Sequence, residues 1–272
     1  GSLANVSVGA LFLAGVVPGL LMSLGLILAI AVAAWRNDLP RSPGFPPLAE
    51  AARTFLRAAP ALALPPLILL VIFAGVATPT EAAVVASAYA FLLGRFVYRE
   101  LGLSDFWRTV WESGRQTAQV MLIIAVSAPF GWVLIQQQVP NAILQALLGL
   151  SSEPWVILLV VNLALLILGM FLETIAILII AYPILAPAMA QIGIDPVHFG
   201  VIIVLNIMIG LITPPVGLCL YVVSGIARVP IAGIARELAP YLVALLAVLG
   251  LVTYVPAIST WLPNALGFGV VR

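Results

Sequence analysis

Two short segments of the chain combine helix-breaking residues with oxygen-bearing groups that could bind a cation. The first, Gly169-Met-Phe-Leu-Glu-Thr174, places a carboxylate and a hydroxyl within one helical turn. The second, Gly210-Leu-Ile-Thr-Pro-Pro-Val-Gly217, contains two consecutive prolines, which lack amide donors and clash with the preceding turn of a helix. We therefore expect a helix to stop near Ile212 and to restart after Pro215.

Such an interruption would expose hard oxygen ligands that suit Na⁺. Carbonyls near Gly210 and Thr213 would lose their helical donors, and such carbonyls are too costly in lipid unless they line protein or a cavity. The Thr213 hydroxyl adds another oxygen, and the half-helix that restarts would present its N-terminal amides to an anion. Discontinuous helices of this kind build ion and substrate sites in secondary transporters.

Each segment also has a purely structural interpretation. Glu173 could be a solvated residue in an ordinary helix–helix turn at the inner membrane surface, and the prolines could form a kink that packs against neighbouring helices. We favour a functional interpretation of Glu173, because an intramembrane acid usually faces a cavity or a bundle interior. We favour it for the proline segment as well, because so much lost hydrogen bonding should serve a purpose.

Composition restricts the class of protein to which these segments belong. The chain has 272 residues, of which 64% are hydrophobic and 8% charged, against roughly 25% charged in an ordinary soluble domain. These values exclude a cytosolic enzyme, a nucleic-acid binder and a disordered chain. The net charge of +1 indicates no polyanionic partner. One cysteine and one histidine exclude an internal disulfide and disfavour a transition-metal site, and no sequence motif of an intramembrane enzyme occurs.

Long runs without charge predict an all-α integral membrane protein, a polytopic helix bundle. A helix needs about 20 apolar residues to cross the hydrocarbon layer. Ser104 is predicted to cap a short amphipathic interfacial helix, with Asp105 in its first turn. Glu81 is predicted to support a helix N-terminus, and His198 to be an interfacial residue at an outer helix start. The predicted helical segments are 8–34, 58–77, 80–98, 104–113, 115–135, 155–192, 197–227 and 239–261, and 140–150 is a short apolar segment.

The arginines predict the orientation of the bundle. They concentrate in a connection at 35–57, in a second at 95–115, and between 228 and 236. Ten of the 11 arginines thus fall on one side, which the positive-inside rule makes cytoplasmic. The stretch from Glu153 to Arg228 must then make a net single crossing. Three full crossings would satisfy this, as would a re-entrant hairpin followed by one crossing, and the two helix breaks favour the hairpin.

The proline motif at Gly210 and a second motif at Thr78, taken together, indicate a family resemblance. Thr78-Pro-Thr-Glu-Ala-Ala83 and Gly210-Leu-Ile-Thr-Pro-Pro-Val-Gly-Leu218 occur in order with Gly169-Met-Phe-Leu-Glu173 and Ile194-Asp-Pro-Val-His-Phe-Gly200. In these motifs, and over essentially its whole length, the chain resembles the large membrane subunit (DctM-like) of the tripartite ATP-independent periplasmic (TRAP) transporters. The resemblance implies an inverted-repeat fold in which each half holds a re-entrant hairpin and a discontinuous helix. The first repeat should precede residue 1, so we expect this chain to be the C-terminal portion, with half of that ion-transporter fold.

The resemblance also implies a function. It implies Na⁺-coupled import of a small organic acid, a carboxylate, by an elevator-type mechanism in the bacterial inner membrane. A periplasmic substrate-binding protein would deliver the acid, and a small (DctQ-like) membrane subunit would complete the complex. No cofactor is expected apart from Na⁺ as the coupling ion, and no nucleic-acid partner. The identity of the acid stays open, with dicarboxylates, sialic acids and sugar acids among the candidates.

Carried onto this chain, the resemblance assigns regions and residues. Residues 1–135 would form scaffold-type helices, 136–237 a transport-type region with its hairpin tip at 169–174 and its broken helix at 210–217, and 238–272 a C-terminal membrane helix. The predicted Na⁺ ligands are Gly169, Gly210, Thr213 and Pro214, and the predicted lining of the substrate site is Glu173, Thr174, Pro215 and Gly217.

Two alternatives belong to other functional classes or mechanisms. A Na⁺–carboxylate symporter could work alone, in which case the membrane part would take up substrate without a binding protein. The other alternative, which we favour less, is a channel or a purely structural membrane subunit. Unitary currents in ion-flux recordings would indicate a channel.

Overall fold

A computed structural model describes residues 6–36, 44 and 46–268 of the chain. The remaining residues, which include 37–43 and 45 of the predicted connection at 35–57, lie outside the described residues. All regular secondary structure in the described part is helical. The helices are α1 (Val8–Arg36), α2 (Leu48–Leu62), α3 (Leu64–Phe73), α4 (Pro79–Leu92), α5 (Leu103–Gln136), α6 (Val139–Leu150), α7 (Pro154–Phe171), α8 (Thr174–Gln191), α9 (Pro196–Gly210), α10 (Leu218–Ala227), α11 (Ile231–Tyr254) and α12 (Ala257–Ala265), with a π-helical turn at Leu93–Val97.

Several of these helices have the length and composition of membrane spans. Within the described ranges, five pass this test, and a sixth does so if α2 and α3, bent by 41° at their junction, form one span. The five are Val8–Arg36, Pro79–Val97, Pro154–Phe171, Thr174–Gln191 and Ile231–Tyr254. The prediction of an all-α, multi-pass membrane bundle is therefore confirmed.

The chain divides into two compact units. The first comprises Gly1–Asn37 together with Leu122–Arg272, and the second comprises Asp38–Met121. The boundary after Met121 falls inside the long helix α5. The predicted division into scaffold, transport and C-terminal regions follows different limits and stays a prediction.

Helix α9 forms the centre of the first unit. Eleven of its 15 residues are buried, and it packs against α1, α7, α8, α11 and α12. One apolar cluster joins α9 to α6, α7 and α8 around Leu165, Ile202 and Ile207. A second cluster joins it to α1 and α11 around Ala14, Val201 and Val252. A helix covered by neighbours in several directions can be hydrophobic all round, which explains why α9 has no polar stripe.

The second unit contains a helix start that the sequence predicts correctly. The Thr78 hydroxyl accepts from the Glu81 amide at 3.3 Å, and the Glu81 carboxylate accepts from the Thr78 amide at 2.7 Å. This reciprocal capping box satisfies two amides that the first turn of α4 would otherwise leave open. The predicted support of a helix N-terminus by Glu81 is confirmed.

Three predicted boundaries are wrong. The segments 104–113 and 115–135 form one 34-residue helix, α5, and Ser104 lies inside its first turn instead of capping it. Asp105 lies in that turn as predicted, and its carboxylate accepts from the Gly102 amide at 3.0 Å. The helix continues because no proline or left-handed glycine stands near residue 114 to interrupt it.

The second wrong boundary is the start of the helix predicted at 58–77, because the chain is already helical from Leu48. The third is the predicted C-terminal helix, which begins at Ile231 and ends at Tyr254, so that α12 is separate. Pro256 lies between the two helices and has no amide with which to continue the ladder of α11.

Candidate functional site

The tip between α7 and α8 consists of Leu172 and Glu173, which alone leave the helical conformation there. Glu173 is the N-cap of α8, and its carboxylate accepts from the amides of Ile175 at 2.9 Å and Ala176 at 3.2 Å. A carboxylate at this position satisfies orphan amides and also complements the positive end of the helix dipole. The side chain is exposed, and these local bonds give it a structural role at the tip.

Thr174, the next residue, differs from Glu173 in both burial and bonding. Its side chain is only 6% exposed, and its hydroxyl has no hydrogen-bond partner among the described residues. A buried hydroxyl without a partner is costly. The Thr174 hydroxyl is therefore available to a ligand that enters the tip.

The interruption between α9 and α10 agrees with the break assigned at 210–217. Helix α9 ends at Gly210 and α10 begins at Leu218, so the break is two residues wider at each end than the prolines alone predict. Pro214 has no amide to donate to the Gly210 carbonyl, which instead accepts from the Thr213 amide at 2.9 Å. This tighter bond ends the α-helical ladder before the prolines are reached.

A run of backbone carbonyls is left without donors in this stretch. The carbonyls of residues 212–216 accept no hydrogen bond from any described residue. The Thr213 hydroxyl lies in the same stretch and donates to the Ile209 carbonyl at 2.6 Å, which leaves its oxygen lone pairs for another contact. The open carbonyls therefore begin two residues after Gly210, whose own carbonyl is already bonded.

Two glycines bring the break against the end of α7. Gly169 and Gly210 are both buried, and their backbones touch. A Cβ atom added at Gly210 would lie 2.7 Å from the Gly169 Cα, and one added at Gly169 would lie 3.1 Å from the Gly210 Cα. The Met170 carbonyl accepts from the Gly217 amide at 3.1 Å, which fixes the far end of the break to the same helix end.

Gly217 closes the break and starts α10. Its φ of +56° lies in the left-handed region, and an added Cβ would lie 3.0 Å from the Thr213 carbonyl oxygen. The amides that follow are partly occupied, because Cys219 donates to the Leu211 carbonyl at 3.2 Å and Leu220 to the Gly217 carbonyl at 2.7 Å. The restarted half-helix thus offers an anion fewer free amides than the sequence suggests.

Comparison with known proteins now gives the family. Residues 1–258 match the family model described as "Tripartite ATP-independent periplasmic transporter, DctM component". This chain belongs to that family. It is 45% identical over 97% of its length to the C4-dicarboxylate TRAP transporter large permease protein DctM of Pseudomonas aeruginosa, of which it covers 61%.

Other relatives carry different substrate names. The sialic acid TRAP transporter large permease protein SiaM of Vibrio cholerae is 41% identical over 99% of this chain, which covers 63% of it. The isethionate TRAP transporter permease protein DctMQ of Oleidesulfovibrio alaskensis is 40% identical over 94% of the chain, which covers 40% of it. The chain therefore spans less than two thirds of these relatives. All are named as transporter permease proteins, a class distinct from enzymes.

The TRAP motif residues fall into two groups in the structure. Gly169, Gly210, Thr213 and Gly217 come together through the glycine contact and the bonds of the break, with Pro214 and Pro215 in the same segment. Glu173 and Thr174 lie at the start of α8, four and five residues beyond Gly169. Their roles as Na⁺ ligands or substrate contacts stay predictions. In the described part of the chain, no three His, Cys, Asp or Glu side chains come close enough to hold a metal ion.

A polar network beside this site, with Asn206 and Thr253 buried and Asn162 half-buried, was not predicted. Asn206 on α9 donates to both the side-chain oxygen of Asn162 on α7, at 2.6 Å, and its backbone carbonyl, at 2.9 Å. Asn162 in turn donates to the Thr253 hydroxyl on α11 at 3.2 Å. The available signal was the presence of amide side chains inside long apolar runs, since polar groups are rare there without a partner or a function.

His198 extends this network towards α12. Asp195 caps α9, accepting from the amides of Val197 and His198 at 2.8 and 3.0 Å, so the predicted helix start is confirmed. The side chain of His198 is 1% exposed, so it is enclosed by protein, and its predicted depth at the membrane interface stays a prediction. Its Nδ1 lies 2.6 Å from the Ser259 hydroxyl and its Nε2 lies 3.2 Å from the Thr253 carbonyl. These partners compensate for its burial.

Proposed function

We propose that the chain supplies the large membrane subunit of a TRAP transporter that imports a small organic acid, driven by Na⁺. The observation that carries the proposal is the run of carbonyls at 212–216, without donors and next to the Thr213 hydroxyl. Carbonyls in unwound segments of transporter helices coordinate Na⁺, which prefers such hard oxygens. Membership of the TRAP family supports the same assignment.

The four predicted Na⁺ ligands have two different roles in this proposal. Thr213 and Pro214 supply oxygens directly, because their carbonyls belong to the open run and Thr213 adds its hydroxyl. Gly169 and Gly210 act mainly by allowing α7 and α9 to touch, so that the end of α7 shapes one side of the ion site. In an apolar bundle, a bound cation would remove the cost of leaving these carbonyls without donors.

The substrate in this proposal is an organic anion. The relatives are named for C4-dicarboxylates, sialic acid and isethionate, which share a negative charge. Thr174, with its buried and unpartnered hydroxyl, is the residue of the α8 tip best suited to donate a hydrogen bond to it. Glu173 holds the tip by capping α8. Pro215 and Gly217, in the break between α9 and α10, would line the substrate site.

The remaining parts of the mechanism follow from the family resemblance. We propose that α7 and α8 form a re-entrant hairpin and that α9 and α10 are the halves of one discontinuous helix, as in one of two inverted repeats. An elevator-type movement would carry the site across the bacterial inner membrane. A periplasmic binding protein would deliver the acid and a small membrane subunit would complete the complex. Uptake by the membrane part alone would instead favour a stand-alone symporter.

Replacing Thr213 tests the ion site. Thr213→Val removes the hydroxyl but keeps the shape, and we expect the Na⁺ concentration for half-maximal uptake to rise about tenfold, as for one lost polar contact to a charge. Thr213→Ser keeps the hydroxyl and should stay close to the wild type. The assay is uptake into proteoliposomes over a Na⁺ series, with thermal unfolding as a check on folding. An unchanged Na⁺ dependence in a folded Thr213→Val protein would remove Thr213 from the site.

A further inference from the structure

The contact between α7 and α9 has a single polar pair in its otherwise apolar described surface, formed by Asn162 and Asn206. Around the pair lie fully buried apolar residues such as Leu165, Ile203 and Ile207. Apolar contacts between helices specify direction and axial register only weakly, because neighbouring turns offer similar surfaces. A buried polar pair specifies one register, as a lone asparagine does in a coiled coil.

The orientation of the Asn206 amide is fixed by its neighbours. Its nitrogen faces two acceptor oxygens of Asn162, at 2.6 and 2.9 Å. Rotating the amide by half a turn would aim its oxygen at both of them, with repulsion in place of two hydrogen bonds. The Asn206 oxygen itself is buried with no described partner. A residue that bears this cost in an apolar bundle has a specific task.

The pair lies on the same helix faces as the glycine contact. Asn206 precedes Gly210 by four residues, and Asn162 precedes Gly169 by seven, which are one and two helical turns. Since Asn162 lies opposite Asn206 and Gly169 opposite Gly210, α7 and α9 run in parallel here. A slip of one turn, about 5.4 Å, would therefore break both contacts together.

We propose that Asn206 and Asn162 are positioning residues, and that their partly buried amide pair fixes the register of α7 against α9 and thereby the Gly169–Gly210 contact at the break. Thr253 supports the pair from α11, because it accepts the remaining amide hydrogen bond of Asn162. The consequence for ion binding rests on the proposed function, since it assumes that the break binds Na⁺. The consequence for register does not.

The three polar residues should matter in a definite order. Asn206→Leu removes both hydrogen bonds between α7 and α9. Asn162→Leu removes only the shorter one, because the Asn162 backbone carbonyl can still accept from Asn206. Thr253→Val leaves the pair itself intact. We therefore expect the largest displacement for Asn206→Leu, less for Asn162→Leu and least for Thr253→Val.

Pulsed electron resonance between two spin labels measures the register without any transport assay. Cys219 is the only cysteine, so a Cys219→Ala parent accepts labels at Trp155 on α7 and Met208 on α9, both of which have exposed side chains. We expect Asn206→Leu to broaden the distance distribution or shift it by several ångströms, up to roughly one turn. Asn141→Leu, which removes an exposed amide from α6, is the matched control and should leave it unchanged.

The outcomes separate this inference from the proposed function. An unchanged distribution in Asn206→Leu, or an equal change in Asn141→Leu, would overturn the positioning role. If Asn206→Leu does not fold, Asn162→Leu must still alter the distribution, and an unaltered one is equally decisive. In uptake assays, Asn206→Leu should raise the half-maximal Na⁺ concentration about tenfold, which corresponds to roughly 1.4 kcal/mol. A wild type without Na⁺ dependence would instead refute the proposed function and leave the register result standing.

Discussion

The two interruptions in the first unit close their backbones by different means. Between α7 and α8 only two residues leave the helix, and the Glu173 carboxylate satisfies the first amides of α8 from within the same turn. Between α9 and α10 seven residues leave the helix, and the N-cap of α10 is a glycine without a side chain. The Gly217 amide reaches the Met170 carbonyl on another helix instead.

This difference indicates which contacts stabilise each interruption. The backbone of the α7–α8 tip is closed by hydrogen bonds from Glu173 within the same turn. The α9–α10 break depends on the end of α7, through the Gly169–Gly210 contact and the bond from Gly217 to Met170. Its carbonyls at 212–216 stay open. Substitutions in the break should therefore affect packing between helices, whereas substitution of the exposed Glu173 should affect mainly the start of α8.

Gly210→Ala should have the largest effect. The added Cβ would lie 2.7 Å from the Cα and 2.8 Å from the carbonyl carbon of Gly169. Backbone atoms cannot move aside as a flexible side chain can, so we expect a loss of stability at the upper end of the roughly 1–3 kcal/mol that overpacking costs. Thermal unfolding of the purified protein in detergent measures it. Gly169→Ala, with its nearest contacts at 3.1 Å, should be milder.

Gly225→Ala is the matched control for this prediction. Gly225 is also helical, but apart from its chain neighbours and the backbone of its own helix no atom lies within 4 Å of its added Cβ. Alanine favours a helix over glycine by up to about 1 kcal/mol, so Gly225→Ala should be neutral or slightly stabilising. Equal unfolding temperatures for Gly210→Ala and Gly225→Ala would mean that α7 and α9 do not touch at these glycines.

Gly217→Ala should have an intermediate effect. A left-handed φ costs a residue with a Cβ roughly 1–2 kcal/mol, and the Cβ would also lie 2.9 Å from the Leu220 Cδ1 and 3.0 Å from the Thr213 carbonyl oxygen. Gly193→Ala separates the two causes, because Gly193 has a φ of +83° but open space around its Cβ. We expect Gly217→Ala to lower the unfolding temperature more than Gly193→Ala. Equal losses would indicate that the contacts with Leu220 and Thr213 contribute nothing.

Local signals explain what could be predicted from the sequence. The positions of the break and of the tip follow from Pro214, Pro215 and Glu173, because missing amides and charge act on the nearest turn. The same locality explains the error at Ser104. A capping residue is only a preference, and a helix passes over it when the flanking residues also favour helix.

The contacts that hold the break against α7 could not be predicted, because they join residues distant in the chain. The amide pair of Asn162 and Asn206 spans 44 residues, and the bond from Gly217 ends on the carbonyl of Met170, a group that every residue possesses. His198 shows the same limit. Its position at a helix start is readable beside Asp195, but its burial depends on α11 and α12, which follow much later in the chain.

Glu173 gives the smallest expected effect and the sharpest contrast with the break. Glu173→Ala removes the cap of α8 and should cost about 1 kcal/mol of stability, measured by thermal unfolding. Glu173→Ser restores a capping oxygen without the charge, so it should recover both stability and uptake if the carboxylate serves only the tip. A Glu173→Ala protein of unchanged stability that has lost uptake would contradict this. The carboxylate would then act on substrate or ion, and the tip would share the chemistry assigned to the break.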